Sequence, residues 1–324
     1  MLLDQHGRQI KYLRLAVTDR CNLRCRYCMP EEGIAFADRE ALLTYDEILL
    51  FCGVLAEMGV EKVRLTGGEP LVRRELTTLV AGLNKQFPKL AMTTNGLLLP
   101  RYLDELMEHG LRTYNLSLDT LRPERFERIT RRDNFAGTYN ALEMLLERGC
   151  RTKINVVVMR GINDDELYDF VELTRDNDLD VRFIEAMPFN DDDGNHDVFL
   201  SYDSMRLRLL ERYPDLSQNE RQGGSAVTFS VPGYRGNVAI IPAYSRSLCG
   251  TCDRLRITPR GTLLNCLYST RGLELLPLLR SGIDRDDLAT LIREFVYGKY
   301  ASGHETERRE QQGNIFASMT SIGG

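Results

Sequence analysis

The sequence of 324 residues predicts an α/β fold, a partial (β/α)6 TIM-like barrel with a C-terminal α+β extension. Short β-rich runs alternate with helical ones through the first two-thirds. Six strand–helix units of roughly thirty residues each require parallel strands joined by helical crossovers. The rhythm changes near Asp191-Asp-Asp-Gly194. The two most distinctive motifs follow the first and second strands, at the C-terminal mouth where such sheets collect their chemistry.

Taken in order, the expected strands are Leu13–Val17, Lys62–Leu65, Leu90–Thr93, Thr113–Leu118, Lys153–Val158 and Val181–Glu185. Helical patterns fall between them at Asp46–Met58, Arg74–Gln86, Arg101–Glu108, Tyr139–Glu147 and Asp165–Asn177. Eight such units would suggest a closed barrel; six suggest an open or partial one. Beyond the change of rhythm comes a helix at Tyr202–Tyr213, then β segments at Ala226–Val231, Val238–Ile241, Arg254–Thr258 and Thr262–Cys266. Helices return at Leu273–Leu279 and Arg285–Tyr297. The division is drawn at residue 235, giving a barrel over 1–235 and an extension over 236–324. From Ala301 to Gly324 the chain is polar and Gly-rich, the composition of a flexible end.

Hydrophobic residues at 43% and charged residues at 27% are ordinary for a globular protein. A formal charge of -5 argues against a general nucleic-acid binder, so an anionic ligand would need a local cluster of arginines. Met1–Ile10 lacks the apolar core of a signal peptide, and the apolar run Ile48–Ala56 is too short to span a bilayer. Eight cysteines without an export signal read as ligands or core residues, consistent with a reducing cytoplasm.

Cys21, Cys25 and Cys28 are spaced C-x3-C-x2-C on one loop. A fully ligated four-iron cube needs four cysteines, so three leave one iron open to a small molecule. Structural zinc needs a fourth ligand, and the nearest histidines are His6 and His109. Iron–sulfur is therefore the better reading. A second group, Cys249, Cys252 and Cys266, repeats the count of three but by itself suits zinc equally well. Cys52 shares a helical apolar stripe with Ile48 and Leu55, and Cys150 closes a helix; both read as core residues.

Gly67-Gly68-Glu69-Pro70 could let a ligand approach the backbone, or could be a plain strand-to-helix turn. It is neither a P-loop nor a dinucleotide fingerprint. Candidate anion binders are Arg14, Arg64, Lys153, Arg254 and Arg256. The last two are two residues apart and share one face of an extended segment, suiting either a polyphosphate or a solvated salt-bridging strand.

Together, Cys-x3-Cys-x2-Cys and Gly-Gly-Glu-Pro resemble the radical S-adenosylmethionine (SAM) enzymes. Cys249-Gly-Thr-Cys252-Asp-Arg254-Leu255-Arg256, Cys266 and a chain ending in Gly323-Gly324 narrow the resemblance to the GTP 3′,8-cyclases of molybdenum cofactor biosynthesis. So do Thr93-Thr-Asn-Gly96, Asn115-Leu-Ser117-Leu-Asp119, Lys153-Ile-Asn-Val156 and Ile184-Glu-Ala-Met-Pro188. The resemblance implies a [4Fe-4S] cluster on Cys21, Cys25 and Cys28 and a second on Cys249, Cys252 and Cys266, whose open iron faces the guanine. It implies SAM contacts from Tyr27, Gly68, Ser117 and Met187. It places GTP against Arg14, Arg64, Thr94, Lys153, Arg254, Leu255 and Arg256, and brings Gly323 and Gly324 into the active site. The implied lyase reaction removes hydrogen from C3′ of GTP with a 5′-deoxyadenosyl radical and joins C3′ to C8, giving (8S)-3′,8-cyclo-7,8-dihydroguanosine 5′-triphosphate. Implied partners are an electron donor of flavodoxin or ferredoxin type and cyclic pyranopterin monophosphate synthase as product acceptor, with no nucleic acid and no membrane. Homodimerisation is left open. Met29 stands where leucine is common, and Asp253, where asparagine is common, is expected to turn its charge away from the triphosphate. A radical SAM peptide maturase and a zinc-binding interaction module are the alternatives. Maturases usually carry a longer C-terminal cysteine set and lack the Gly-Gly end.

Overall fold

The computed structural model describes residues 1–187, 198–220, 224, 226–245, 248–310 and 319–322. Strands and helices alternate as β1 (Tyr12–Ala16), α1 (Tyr45–Glu57), β2 (Lys62–Thr66), α2 (Leu76–Asn84), β3 (Lys89–Thr94), α3 (Leu99–Glu108) and β4 (Thr113–Ser117). Two helices, α4 (Pro123–Thr130) and α5 (Phe135–Glu147), lead to β5 (Arg151–Val158), then α6 (Leu167–Asp176) and β6 (Leu179–Glu185). The expected helix at Arg74–Gln86 is shorter at both ends. The eight-residue α4 was not expected; it buries only Phe126, Ile129 and Thr130, too few positions to establish a period.

The remaining elements are α7 (Tyr202–Arg212), β7 (Ser217–Gln218), β8 (Val227–Ser230), β9 (Asn237–Ile241), β10 (Arg254–Ile257), β11 (Thr262–Leu264), β12 (Leu273–Glu274), α8 (Leu275–Arg280), α9 (Arg285–Tyr297) and α10 (Gly303–Glu310). The predicted helix at Leu273–Leu279 begins with two residues that pair with β11, Leu263 opposite Leu273 and Thr262 opposite Glu274. Helix α10 lies in the stretch expected to be flexible. Polar composition hides what holds it: the Glu310 carboxylate accepts from the backbone N–H of Thr270 at 2.7 Å and of Arg271 at 3.1 Å.

The twelve strands of the described residues form one sheet, in the order β12-β11-β10-β1-β2-β3-β4-β5-β6-β9-β8-β7. The predicted parallel six occupy its centre, but β10 pairs parallel with β1, and β9 parallel with β6. The extension therefore lengthens the partial barrel at both ends through pairings between strands remote in sequence, Tyr12 with Arg254 and Asp180 with Asn237, that local periodicity cannot reveal. Residue 235 falls between β8 and β9.

Alternation along each strand separates two environments. Leu13, Leu15, Val63, Leu65, Leu255 and Ile257 are fully buried in the aliphatic core. Their neighbours Tyr12, Arg14, Lys62, Arg64, Arg254 and Arg256 line the cavity on the opposite face. A TIM barrel ordinarily fills that interior with branched aliphatic side chains; here it is lined with cations. Capping fixes where helices start: Glu47 N–H donates to Thr44 Oγ1 at 3.2 Å, and Thr44 N–H to Glu47 Oε2 at 2.7 Å, opening α1 with a reciprocal capping box. No helix among the described residues is long and apolar enough to cross a membrane.

Candidate active site

The first cysteine loop leaves β1 and is held by its own backbone. Cys28 N–H donates to Cys25 O at 2.9 Å, and Leu23 N–H to Cys21 Sγ at 3.4 Å. Two guanidiniums brace it. Arg24 donates to Cys21 O at 2.6 Å, and Arg131 reaches Arg24 O at 3.1 Å and Met29 O at 3.0 Å. Arg131 adopts a left-handed φ of 56° to end α4, a conformation costly for a residue with a Cβ but held in place by the bonds to those carbonyls. Burial pushes the Cys21 thiol up to about 11, helped by the nearby Glu69 charge. Burial and Asp119 also raise Cys25 well above its ordinary value. Three thiols without an oxygen donor among them form a soft set, suited to the irons of an iron–sulfur cluster.

The glycine loop proves to be laced to the cysteine loop. Gly68 N–H donates to Thr18 O at 2.8 Å, and Glu69 N–H to Arg20 O at 2.9 Å. A Cβ on Gly67 would lie 2.3 Å from Thr18 O, and one on Gly68 2.3 Å from Arg20 O. Gly67 also holds a φ of 142°. The glycines are thus required by the neighbouring loop of the same chain, while both still line the cavity. Glu69 is buried and accepts from Leu71 N–H at 3.1 Å, Thr94 Oγ1 at 2.8 Å and Asn95 N–H at 2.8 Å; burial raises its carboxyl to about 7 despite those donors.

A cavity of about 990 Å³ joins the two cysteine groups. Between them its wall carries Arg14, Lys62, Arg64, Lys153, Arg182, Arg254 and Arg256. Cross-strand register explains the crowding: Arg256 is opposite Arg14, and Arg14 opposite Arg64. Burial lowers Arg14 to about 10, with Arg64 and Arg254 adding repulsion. Arg182 falls to about 10 and Lys153 to about 8, each chiefly through burial. Tyr12 sits among these cations and accepts from Arg64 Nε at 2.7 Å; burial would raise its phenol, but Arg64, Arg14 and Lys62 bring it down to about 7. Such a cluster stabilises an anion and is itself destabilised without one. Thr66 Oγ1, Thr93 Oγ1, Asn115 Oδ1 and Asn155 Oδ1 also line this cavity, and each is buried without a hydrogen-bond partner. Buried unpaired acceptors of this kind mark a site built for a polar ligand.

The second group lies at the far side of the wall. Cys249 opens a short 3-10 turn, its thiol accepting from Gly303 N–H at 3.4 Å. Cys252 precedes β10 and Cys266 follows β11, so an antiparallel pair brings them together. Burial raises Cys252, but Lys299 and Arg254 outweigh it and hold the thiol near 7. Here too the donors are three free thiols.

Among the other expected site residues, Tyr27, Ser117, Met187, Thr94 and Lys153 line the same cavity. Tyr27 OH donates to Asp119 Oδ2 at 2.9 Å, and Lys153 is ion-paired with Asp180. Leu255 is the exception: its side chain is in the aliphatic core on the opposite face of β10. Asp253 lines the cavity, and its carbonyl accepts from Lys11 and Tyr12 N–H at 3.1 and 3.2 Å. Gly323 and Gly324 lie outside the described residues, as does Pro188. Sequence reading passed over Tyr12, Lys62 and Arg182. Their signal was present, since each alternates with core residues on its strand.

A family model described as Radical SAM superfamily matches residues 15–174, and one described as Molybdenum Cofactor Synthesis C matches residues 179–305. The chain is 40% identical over 329 residues to GTP 3′,8-cyclase of Heliobacterium modesticaldum, covering 100% of both chains. It is 40% identical over 332 residues to GTP 3′,8-cyclase of Chlorobaculum tepidum, covering 100% of this chain and 97% of the relative. Identity to molybdenum cofactor biosynthesis protein 1 of Bos taurus is 44% over 295 residues and 90% of this chain, which spans about half of that longer relative, 47%. In fold, the chain resembles Streptococcus suis SuiB bound to S-adenosylmethionine, with a TM-score of 0.60 at 15% identity, over 89% of this chain and 68% of that one. By its identity to full-length relatives and by the two models that tile its length, the chain belongs to the GTP 3′,8-cyclase family of radical SAM proteins.

Proposed function

We propose that this chain converts GTP to (8S)-3′,8-cyclo-7,8-dihydroguanosine 5′-triphosphate. One observation carries the reading: a single cavity has a three-thiol set at each end and a ring of buried cations between them. The radical SAM superfamily uses a [4Fe-4S] cluster and SAM. Cys21, Cys25 and Cys28 would hold that cluster, which when bound supplies the electron for reductive cleavage of SAM. Tyr27, Gly68, Ser117 and Met187 border the space beside it, where SAM would lie. Arg14, Arg64, Lys153, Arg254 and Arg256 would bind the triphosphate, joined by Arg182; Thr94, held by Glu69, would fix the wall next to it. The unpaired oxygens of Asn115 and Asn155 offer acceptors to ligand hydroxyl or amine groups. Cys249, Cys252 and Cys266 would hold a second cluster facing the guanine.

The chain's part in the chemistry is positioning and exclusion of water. It must keep C3′ close to the SAM end while C8 stays within bonding reach, and a wall of fixed charges on both sides of the triphosphate does this. The turn at 319–322 docks against the first loop: Met319 N–H donates to Cys28 O at 3.3 Å, and Ile322 is buried beside Leu264. That docking supports a role in turnover for Gly323 and Gly324, which follow it.

The substrate and product are isomers, so isotope transfer is the decisive test. Anaerobic, iron-loaded chain with SAM, dithionite and [3′-²H]GTP should yield 5′-deoxyadenosine carrying one deuterium, together with a chromatographically distinct isomer of GTP. Deuterium-free 5′-deoxyadenosine with GTP recovered unchanged would overturn the assignment.

A further inference from the structure

Lys299 is 3% exposed and follows α9 by two residues. Its ammonium donates to Arg254 O at 3.0 Å and also to Asn265 O. Arg254 is two residues past Cys252, and Asn265 immediately precedes Cys266. One side chain thus ties together the backbone beside two of the three cysteines in the second group. The same segment reaches the third: Arg8 joins Cys249 O at 3.1 Å to Ala301 O at 2.9 Å, and Gly303 N–H meets the Cys249 thiol. Gln5 Nε2 fastens the segment from behind, donating to Lys299 O at 3.1 Å.

Arg8 has its own counter-ion, Asp4, with Nε to Oδ2 at 2.6 Å. Lys299 differs. Among the described residues it makes no salt bridge with a carboxylate, and its polar partners are neutral carbonyls. A buried cation without an opposite charge is costly, and structures retain one where an anion completes it. The carbonyls it holds belong to residues beside Cys252 and Cys266, so the thiols of the second group are the anionic partners that the chain places next to it.

We propose that Lys299 is the buried counter-charge of the second iron–sulfur cluster and the brace that fixes the spacing of its ligands. Lys299 is a positioning residue: it touches backbone beside the ligands and acts on the cluster through charge. Three thiolates around an iron–sulfur cube leave a net negative unit, and one-electron reduction makes it more negative. A fixed cation beside it stabilises both states and the reduced one more. Removing the charge should therefore move the midpoint potential of that cluster to more negative values and loosen its hold on iron, with the first cluster unaffected.

The inference rests on the two-cluster reading, and the two can fail separately. Anaerobically reconstituted wild-type chain, Lys299→Gln, Lys299→Met and Lys299→Arg would be compared by iron and sulfide content, by redox titration followed by electron paramagnetic resonance, and by melting temperature. Gln keeps a donor for one carbonyl without charge, whereas Arg keeps the charge. Wild type should hold about eight irons. The expected result is a more negative midpoint in Lys299→Gln, a larger shift or loss of about four irons in Lys299→Met, and a near-native midpoint in Lys299→Arg. The SAM-dependent signal of the first cluster should survive in all of them. A wild-type chain with only about four irons would sink the two-cluster reading itself. Two clusters in wild type with an unchanged midpoint and full iron in Lys299→Gln would overturn the role of Lys299 alone.

Discussion

Arg256 is only 7% exposed, and it faces Arg14 across one strand pairing. Burial, then Arg14 and Arg254, hold its guanidinium well below its ordinary range. A bound polyanion would relieve the repulsion and offset the cost of burial, so repulsion among the cations favours phosphate here as much as their number does. Arg256→Ala should weaken GTP binding by about 1.5–3 kcal/mol, roughly 10- to 150-fold, the scale of charge-assisted hydrogen bonds. Guanosine, lacking phosphates, should bind poorly to the wild-type chain and respond little to the substitution. Equilibrium binding of both ligands to the iron-loaded chain checks this; an equal loss for guanosine would point to damage at the neighbouring second cysteine group. Arg182 belongs to the same cluster, although no motif announces it. Its position was legible in the alternation of β6, but its proximity to Arg14 and Arg64 depends on the curvature that brings β6 back toward β1.

At the scale of elements, the strand–loop junctions after β1 and β2 act as one unit. The glycine loop is fixed by the cysteine loop, and every backbone bond between them would be lost or bent if Gly68 gained a Cβ. Gly68→Ala should cost on the order of 1–3 kcal/mol, the usual range for overpacking, because the obstructing atom is a backbone carbonyl that cannot swing aside. Iron analysis should find the first cluster depleted and the second retained, with SAM cleavage reduced in step. Full first-cluster iron at native stability would show that the Thr18–Arg20 backbone yields more easily than its hydrogen bonds suggest. The strands that carry these loops were legible from their alternation, and α9 spans the predicted Arg285–Tyr297. Helices α4 and α10 were not, because each is eight residues long and stabilised by partners remote in sequence. Lys299 was illegible for the same reason: a lysine in the loop between α9 and α10 reads as solvent-exposed until the carbonyls of Arg254 and Asn265 are seen to take its ammonium.

The whole molecule is organised by a sheet that runs across the division drawn at residue 235. Removing 236–324 would take away both β9 and β10, the parallel neighbours of β6 and β1. It would leave two long strand edges open where the full chain continues its ladder. It would also strip α9, whose Leu288, Ile292 and Val296 are fully buried in the common core and whose Arg285 pairs with Glu57 of α1 at 2.6 Å. Covering β1 with β10 is what places Arg254 and Arg256 beside Arg14, so the same pairing that completes the fold also builds the cationic wall proposed for the triphosphate. A fragment comprising residues 1–235 is therefore expected to lose cooperative unfolding and to aggregate, despite carrying the whole first cysteine loop and all six central strands. Size-exclusion chromatography, near-ultraviolet circular dichroism and denaturant titration of the anaerobic fragment would check this against the full chain. A monomeric fragment with a sharp unfolding transition and retained SAM binding would show that the central strands fold on their own. The extension would then be an addition to a finished barrel, and the shared sheet would be a consequence of docking.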